Sequence, residues 1–199
     1  MFKKAPIKHQ PESEHLVSKV PKTGFKKSQS ISVPQGYEAI LMEQDGSVEV
    51  IKNQLLIKLD NAVEYIYFAK STRKVMRSNW GTPSRILVDT NNGKQSMGGF
   101  GYVEFQLTNP VRLINTRMQN DEYADESSLS KLVLSRIPDL LHQILPSLEP
   151  LEVSNESKLI IQLKEALSPL LKESLDSLGI GLQSLVIENI NFQTQQGGE

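Results

Sequence analysis

From position 31 onward, short apolar runs alternate with turn residues: 31–33, a Pro34-Gln35-Gly36 turn, 37–43, Gln44-Asp45-Gly46, then 47–51. Asp45-Gly46 between two apolar runs predicts a hairpin, because glycine accepts the positive φ of a primed turn. Further strands are expected over 62–70, 73–78 and 86–89, the last leading into a turn through Asn91-Asn92-Gly93. Residues 100–107 alternate cleanly, with Tyr102, Glu104 and Gln106 on one side and Gly101, Val103, Phe105 and Leu107 on the other. That period of two describes a half-buried strand of the antiparallel type. Asn109 then offers an N-cap oxygen and Pro110 a fixed φ at the first helical position, so a short helix through Val111, Leu113, Ile114 and Met118 follows.

The second half of the chain changes period. After an acidic stretch (Asp121, Glu122, Asp125, Glu126) that suits the positive end of a helix dipole, Leu129, Leu132, Val133, Ile137, Leu140, Leu141 and Ile144 recur at three and four. Pro138 lies inside this stripe and predicts either a kink or a restart of the helix. A second amphipathic helix is expected over 155–178, bent at Pro169 and closed by Gly179 in a left-handed cap. Leu182, Leu185, Ile187 and Ile190 form a final long strand, whose broken alternation between 182 and 185 predicts a bulge. Strands, then helices, then one returning strand make an α+β fold.

Residues 1–28 read differently. Lys3, Lys4, Lys8, Lys19, Lys22, Lys26 and Lys27 face only Glu12 and Glu14 as opposite charge, and prolines stand at 6, 11 and 21. The stretch is expected to be a flexible arm ahead of a domain over 29–192 and a polar tail over 193–199. Its lysines are candidate contacts with anionic lipid, each contributing ~1 kcal/mol near such a surface. A solubilising tail is the plainer reading.

Composition narrows the classes. A net charge of -1 with 38% hydrophobic residues describes an ordinary folded protein and gives nucleic acid no general attraction. A nucleic-acid reading through the arm and Arg73, Lys74, Arg77 and Arg85 is disfavoured by thin aromatic interleaving. The lack of cysteine excludes disulfides and thiolate sites and fits a reducing compartment. No apolar run approaches the ~20 residues of a spanning helix, and the start lacks a signal-peptide core, so a cytoplasmic place is expected, with any membrane contact peripheral on the inner face of the plasma membrane.

No motif brings catalytic chemistry. Gly98-Gly99-Phe100-Gly101 lacks the Lys-Ser/Thr and the following helix of a phosphate loop, and reads as a turn entering a sheet, with Gly101 allowing a bulge or close packing. His9 and His15 fall in the arm, and His142 has no second histidine at helical spacing, which favours a structural histidine. There is no Gly-x-Ser-x-Gly elbow, and the acidic stretch lacks the order of an EF-hand. No enzyme activity, cofactor or metal is therefore expected.

Taken together, Ile66-Tyr67-Phe68, Trp80-Gly81-Thr82, Asp89, Phe100-Gly101-Tyr102, Asn109-Pro110 and Ile187-Glu188-Asn189-Ile190 resemble, in order and spacing, the SPFH or band 7 superfamily of stomatin, prohibitin and flotillin. The bacterial virion-core-like SPFH branch looks closest, over roughly residues 26–192. The resemblance implies a curved antiparallel sheet carrying two long amphipathic helices and a final strand returning to it. It makes Trp80, Gly81, Thr82, Phe100, Gly101, Tyr102, Pro110, Glu188 and Asn189 a fold signature rather than an active site. It also implies a non-enzymatic scaffold that forms homo-oligomers and recruits membrane proteins. The hydrophobic anchor and coiled coil common in relatives do not occur within these residues, which leaves a soluble protein-binding adaptor as the alternative.

Overall fold

The computed structural model describes residues 6–21, 29–52, 54–59, 62–118 and 120–194. Seven strands come first: β1 (Ile7–Lys8), β2 (His15–Lys19), β3 (Ser30–Ser32), β4 (Tyr37–Glu43), β5 (Val48–Ile51), β6 (Leu56–Lys58) and β7 (Val63–Lys70). They are followed by β8 (Met76–Gly81), β9 (Ile86–Thr90), β10 (Gly93–Leu107), α1 (Pro110–Arg117) and β11 (Tyr123–Asp125). The chain ends with α2 (Glu126–Leu148), α3 (Glu156–Asp176) and β12 (Ile180–Thr194). The residues expected as one domain over 29–192 are divided between two compact units. One is the chain up to Lys74 with Thr108–Leu129; the other is Val75–Leu107 with the chain from Ser130.

In the first unit, a three-stranded sheet of order β1-β3-β6 and a five-stranded sheet of order β11-β2-β7-β4-β5 share one core. Ile31 and Ile57 come to it from the smaller sheet, Val33 from just after β3, and Ala39, Leu41, Ile66 and Phe68 from the larger. The Asp45-Gly46 hairpin forms as its residues dictate: Gly46 takes φ 85°, and Asp45 Oδ1 accepts the Ser47 N–H at 2.9 Å.

Part of the expected arm is sheet. β1 runs parallel to β3, and β2 lies between β11 and β7, with Val17 fully buried and Val20 nearly so. The lysines hid this strand. Burial of the two valines, with ladder partners on both sides, offsets the entropy of ordering the segment. The acidic stretch is also divided: Tyr123–Asp125 pairs with β2 as a strand, and the helix starts only at Glu126.

In the second unit β10 lies between β12 on one side and β8 and β9 on the other, all antiparallel. Val103, Phe105 and Leu107 are buried and Tyr102, Glu104 and Gln106 half-buried, as the alternation requires. The turn before β10 is at Gly93, so Gly98 and Gly99 are strand residues rather than a turn. The β10–β12 register shifts twice, and one shift leaves Gln183 unpaired, the bulge expected between 182 and 185.

Helix α2 continues through Pro138 as one element. The proline costs one backbone hydrogen bond, but Val133, Ile137, Leu141, Ile144 and Leu145 are buried along one stripe, which outweighs that loss. Helix α3 likewise runs through Pro169, buries Leu159, Leu163, Leu167, Leu171 and Leu175 at spacing four, and packs on β12. Gly179 takes φ 78° after its last turn.

Candidate functional site

The signature residues of the second unit meet at one junction of three strands. Trp80 of β8 stands opposite Gly101 of β10, and its indole Nε1–H donates to the Val186 carbonyl of β12 at 3.1 Å. Phe100 pairs with Asn189 and Gly101 with Ile187, so Glu188 is the bulged residue between them. A Cβ on Gly101 would overlap the Val186 carbonyl, which explains why no side chain stands there. Thr82 Oγ1 accepts the Gly99 N–H at 3.2 Å, and the Thr82 N–H reaches Gly99 O at 3.0 Å, fixing the end of β8 next to Gly81. Asn189 Nδ2 reaches Glu156 Oε1 at 3.4 Å. Trp80 is 6% exposed and contributes packing and a hydrogen bond to the backbone. Tyr102 carries the Arg77 guanidinium over its ring at 3.5 Å, and Phe100 is exposed. Pro110 belongs to the first unit, where it opens α1 after Asn109, whose Oδ1 accepts the Arg112 N–H at 3.1 Å.

Of the seven lysines, Lys8 and Lys19 lie on β1 and β2, while Lys3, Lys4, Lys22, Lys26 and Lys27 fall outside the described residues. Lys8 is exposed; Lys19 holds its ammonium 4.3 Å from the centre of the Tyr65 ring. The arginines suggested for nucleic acid are engaged within the protein. Arg73 pairs with the nearly buried Glu38, Arg77 lies over Tyr102, and Arg85 donates to Ser96 O at 3.2 Å. Lys74 reaches Glu126 at 3.4 Å. His142 is exposed on α2.

A different group was not evident from the sequence. In the first unit a cavity of about 440 Å³ is lined in part by His9, Glu12, His15, Ser18, Asn120 and Tyr123. His15 is 8% exposed, and its ring stacks on Tyr123 with centroids 4.0 Å apart. His15 Nδ1 is buried without a hydrogen-bond partner, and Nε2 stands 3.6 Å from Glu12 Oε2. Glu14 brings a second carboxylate into the same cluster. Across the cavity, His9 Nε2 meets Ser18 Oγ at 3.1 Å; burial, and then the charge of His15, lowers the His9 pKa below its usual 6.5. The available signal was Glu12-x-Glu14-His15 standing directly before the apolar pair Leu16-Val17.

A family model described as SPFH domain-Band 7 family matches residues 62–196, well over half of the chain. The chain belongs to the SPFH domain-Band 7 family. No curated protein matches it. The α+β architecture with the final strand β12 hydrogen-bonded into a sheet is consistent with this SPFH assignment. The matched stretch takes in β7 through β12, hence every signature residue, and leaves β1–β6, His9 and His15 of this SPFH protein outside it. No helix among its described residues is long and apolar enough to cross a membrane.

Proposed function

We propose that this SPFH protein is a non-enzymatic scaffold or oligomerisation module, held peripherally at a membrane and recruiting membrane or membrane-proximal proteins. The observation that carries the reading is the family match over residues 62–196. Two features support it. At the junction, Trp80 and Gly101 hold β8, β10 and β12 closely together. The sheet order also ends at β12, a strand of fifteen residues whose outer main-chain groups can receive a strand from a second copy or another protein. Lysines near the N-terminus would add attraction to an anionic, cytoplasm-facing lipid surface.

Because His15–Lys19 is a strand, charge replacement tests the arm better than deletion. The full chain and a variant with Lys→Gln at positions 3, 4, 8, 19, 22, 26 and 27 are floated with phosphatidylserine-containing vesicles. The unaltered chain is expected to float and the variant to stay in the dense fraction. Equal recovery rejects the lysines, and absence of both from the vesicles favours a protein-binding adaptor without lipid contact. Light scattering at tens of micromolar checks assembly; a strictly monomeric species overturns self-association.

A further inference from the structure

We propose that Glu12, Glu14 and His15 bind one divalent transition-metal ion, Zn²⁺ foremost, at the mouth of the cavity in the first unit. Ligand atoms of the three residues lie within 4.8 Å of one another. The distance from Glu12 Oε2 to His15 Nε2 is 3.6 Å, too long for a hydrogen bond. Two ligands each about 2.0–2.2 Å from a tetrahedral ion stand roughly 3.4 Å apart, so this pair already has the spacing of groups sharing a metal. The third ligand, on exposed Glu14, has freedom to close the set.

His15 supplies the independent observation. Its side chain is nine-tenths buried and held flat against Tyr123, and it turns Nε2 towards the Glu12 carboxylate at 3.6 Å, beyond hydrogen-bond reach. The side chain is oriented without being satisfied. Carboxylates alone would suit Mg²⁺ or Ca²⁺; an imidazole beside two carboxylates shifts the choice to Zn²⁺ and its neighbours. Water or an external ligand would complete the coordination. The ion would join the turn at Glu12 to the first residue of β2, and so couple metal occupancy to the order of this edge of the five-stranded sheet.

Charged and titratable groups surround His15. Glu12 lies before it, Asp125 stands opposite it on β11, and His9 faces it across the cavity.

Zn²⁺ alone is titrated calorimetrically into the full chain at about pH 7.5. One ion per chain is expected. The double variant Glu12→Gln/Glu14→Gln, altered only at exposed positions, should keep the circular dichroism of the parent and lose at least about tenfold in affinity. His142→Gln, on α2, should bind as the parent does. Absence of binding by the parent, or unchanged affinity in the double variant, overturns the site.

Discussion

At Gly101 the missing side chain lets β10 and β12 approach: an added Cβ would overlap the Val186 oxygen and stand 2.9 Å from its carbonyl carbon. The same oxygen accepts the Trp80 indole proton, so displacing it disturbs both contacts. Gly101→Ala is therefore expected to cost about 1–3 kcal/mol, the range for forcing extra volume into a packed region. Gly81→Ala is the control, because its nearest atoms would be 3.7 and 3.8 Å away, ordinary contacts, and the change should stay within about 0.5 kcal/mol. Urea unfolding followed by the fluorescence of Trp80, the only tryptophan, measures both; equal midpoints for the two variants would contradict the close approach. The strand glycine itself was legible, since a glycine inside an alternating run marks a bulge or a near backbone. Its partner was not, because Val186 reaches Gly101 only through a register that two bulges set.

At the scale of elements, the start of α2 is fixed by a reciprocal pair: the Ser128 N–H donates to Asp125 Oδ1 at 2.8 Å, and the Asp125 N–H to Ser128 Oγ at 3.0 Å. The Ser128 backbone N–H is the main cause that holds the Asp125 carboxyl below its ordinary 3.8. A depressed carboxyl contributes stability that is present above the unfolded-state pKa and disappears as pH falls through the lower folded value. Asp125→Ala should accordingly cost about 1 kcal/mol at neutral pH, the usual value of a cap, and progressively less as the parent is acidified below its ordinary carboxyl range. Asp125→Asn keeps an accepting oxygen and should retain most of the stability without that acid dependence. Thermal unfolding against pH checks this; an alanine penalty that persists undiminished at strongly acidic pH would refute it. This helix was readable from its leucine spacing, as were the hairpin at Gly46 and the alternation of β10. Strands β2 and β11 were not. Their partners are remote, Val17 pairing with Ala69 and Ala124, and Lys19 in the one and Asp125 in the other read locally as solvated chain. The cluster at His15 was missed for the same reason, since an arm gives a histidine no neighbours to find.

For the whole molecule, each unit is assembled from two separate stretches of sequence, and this decides what a fragment can do. A chain of residues 75–199 retains β8, β9, β10, α3 and β12, hence every ladder of the second sheet and the junction at Trp80. It also carries α1 and β11 away from the first unit, and β11 has β2 as its ladder partner among the described residues. In an amide correlation spectrum the fragment should keep dispersed resonances for β8–β10 and β12 while those of Tyr123–Asp125 collapse to coil positions. Collapse of the β10 and β12 resonances as well would show that the second unit does not fold by itself. The fragment also separates two properties that the intact protein combines. It lacks all seven lysines and the His15 cluster but keeps β12, at which the sheet order ends among the described residues. If the scaffold reading holds, it should self-associate as the parent does and fail to float with anionic vesicles, because assembly would depend on the β12 edge and lipid attraction on the lysines. Flotation equal to the parent's would move the membrane contact into the second unit, towards the exposed Phe100 and Leu87. Loss of self-association with the second sheet intact would instead move the assembly surface into the first.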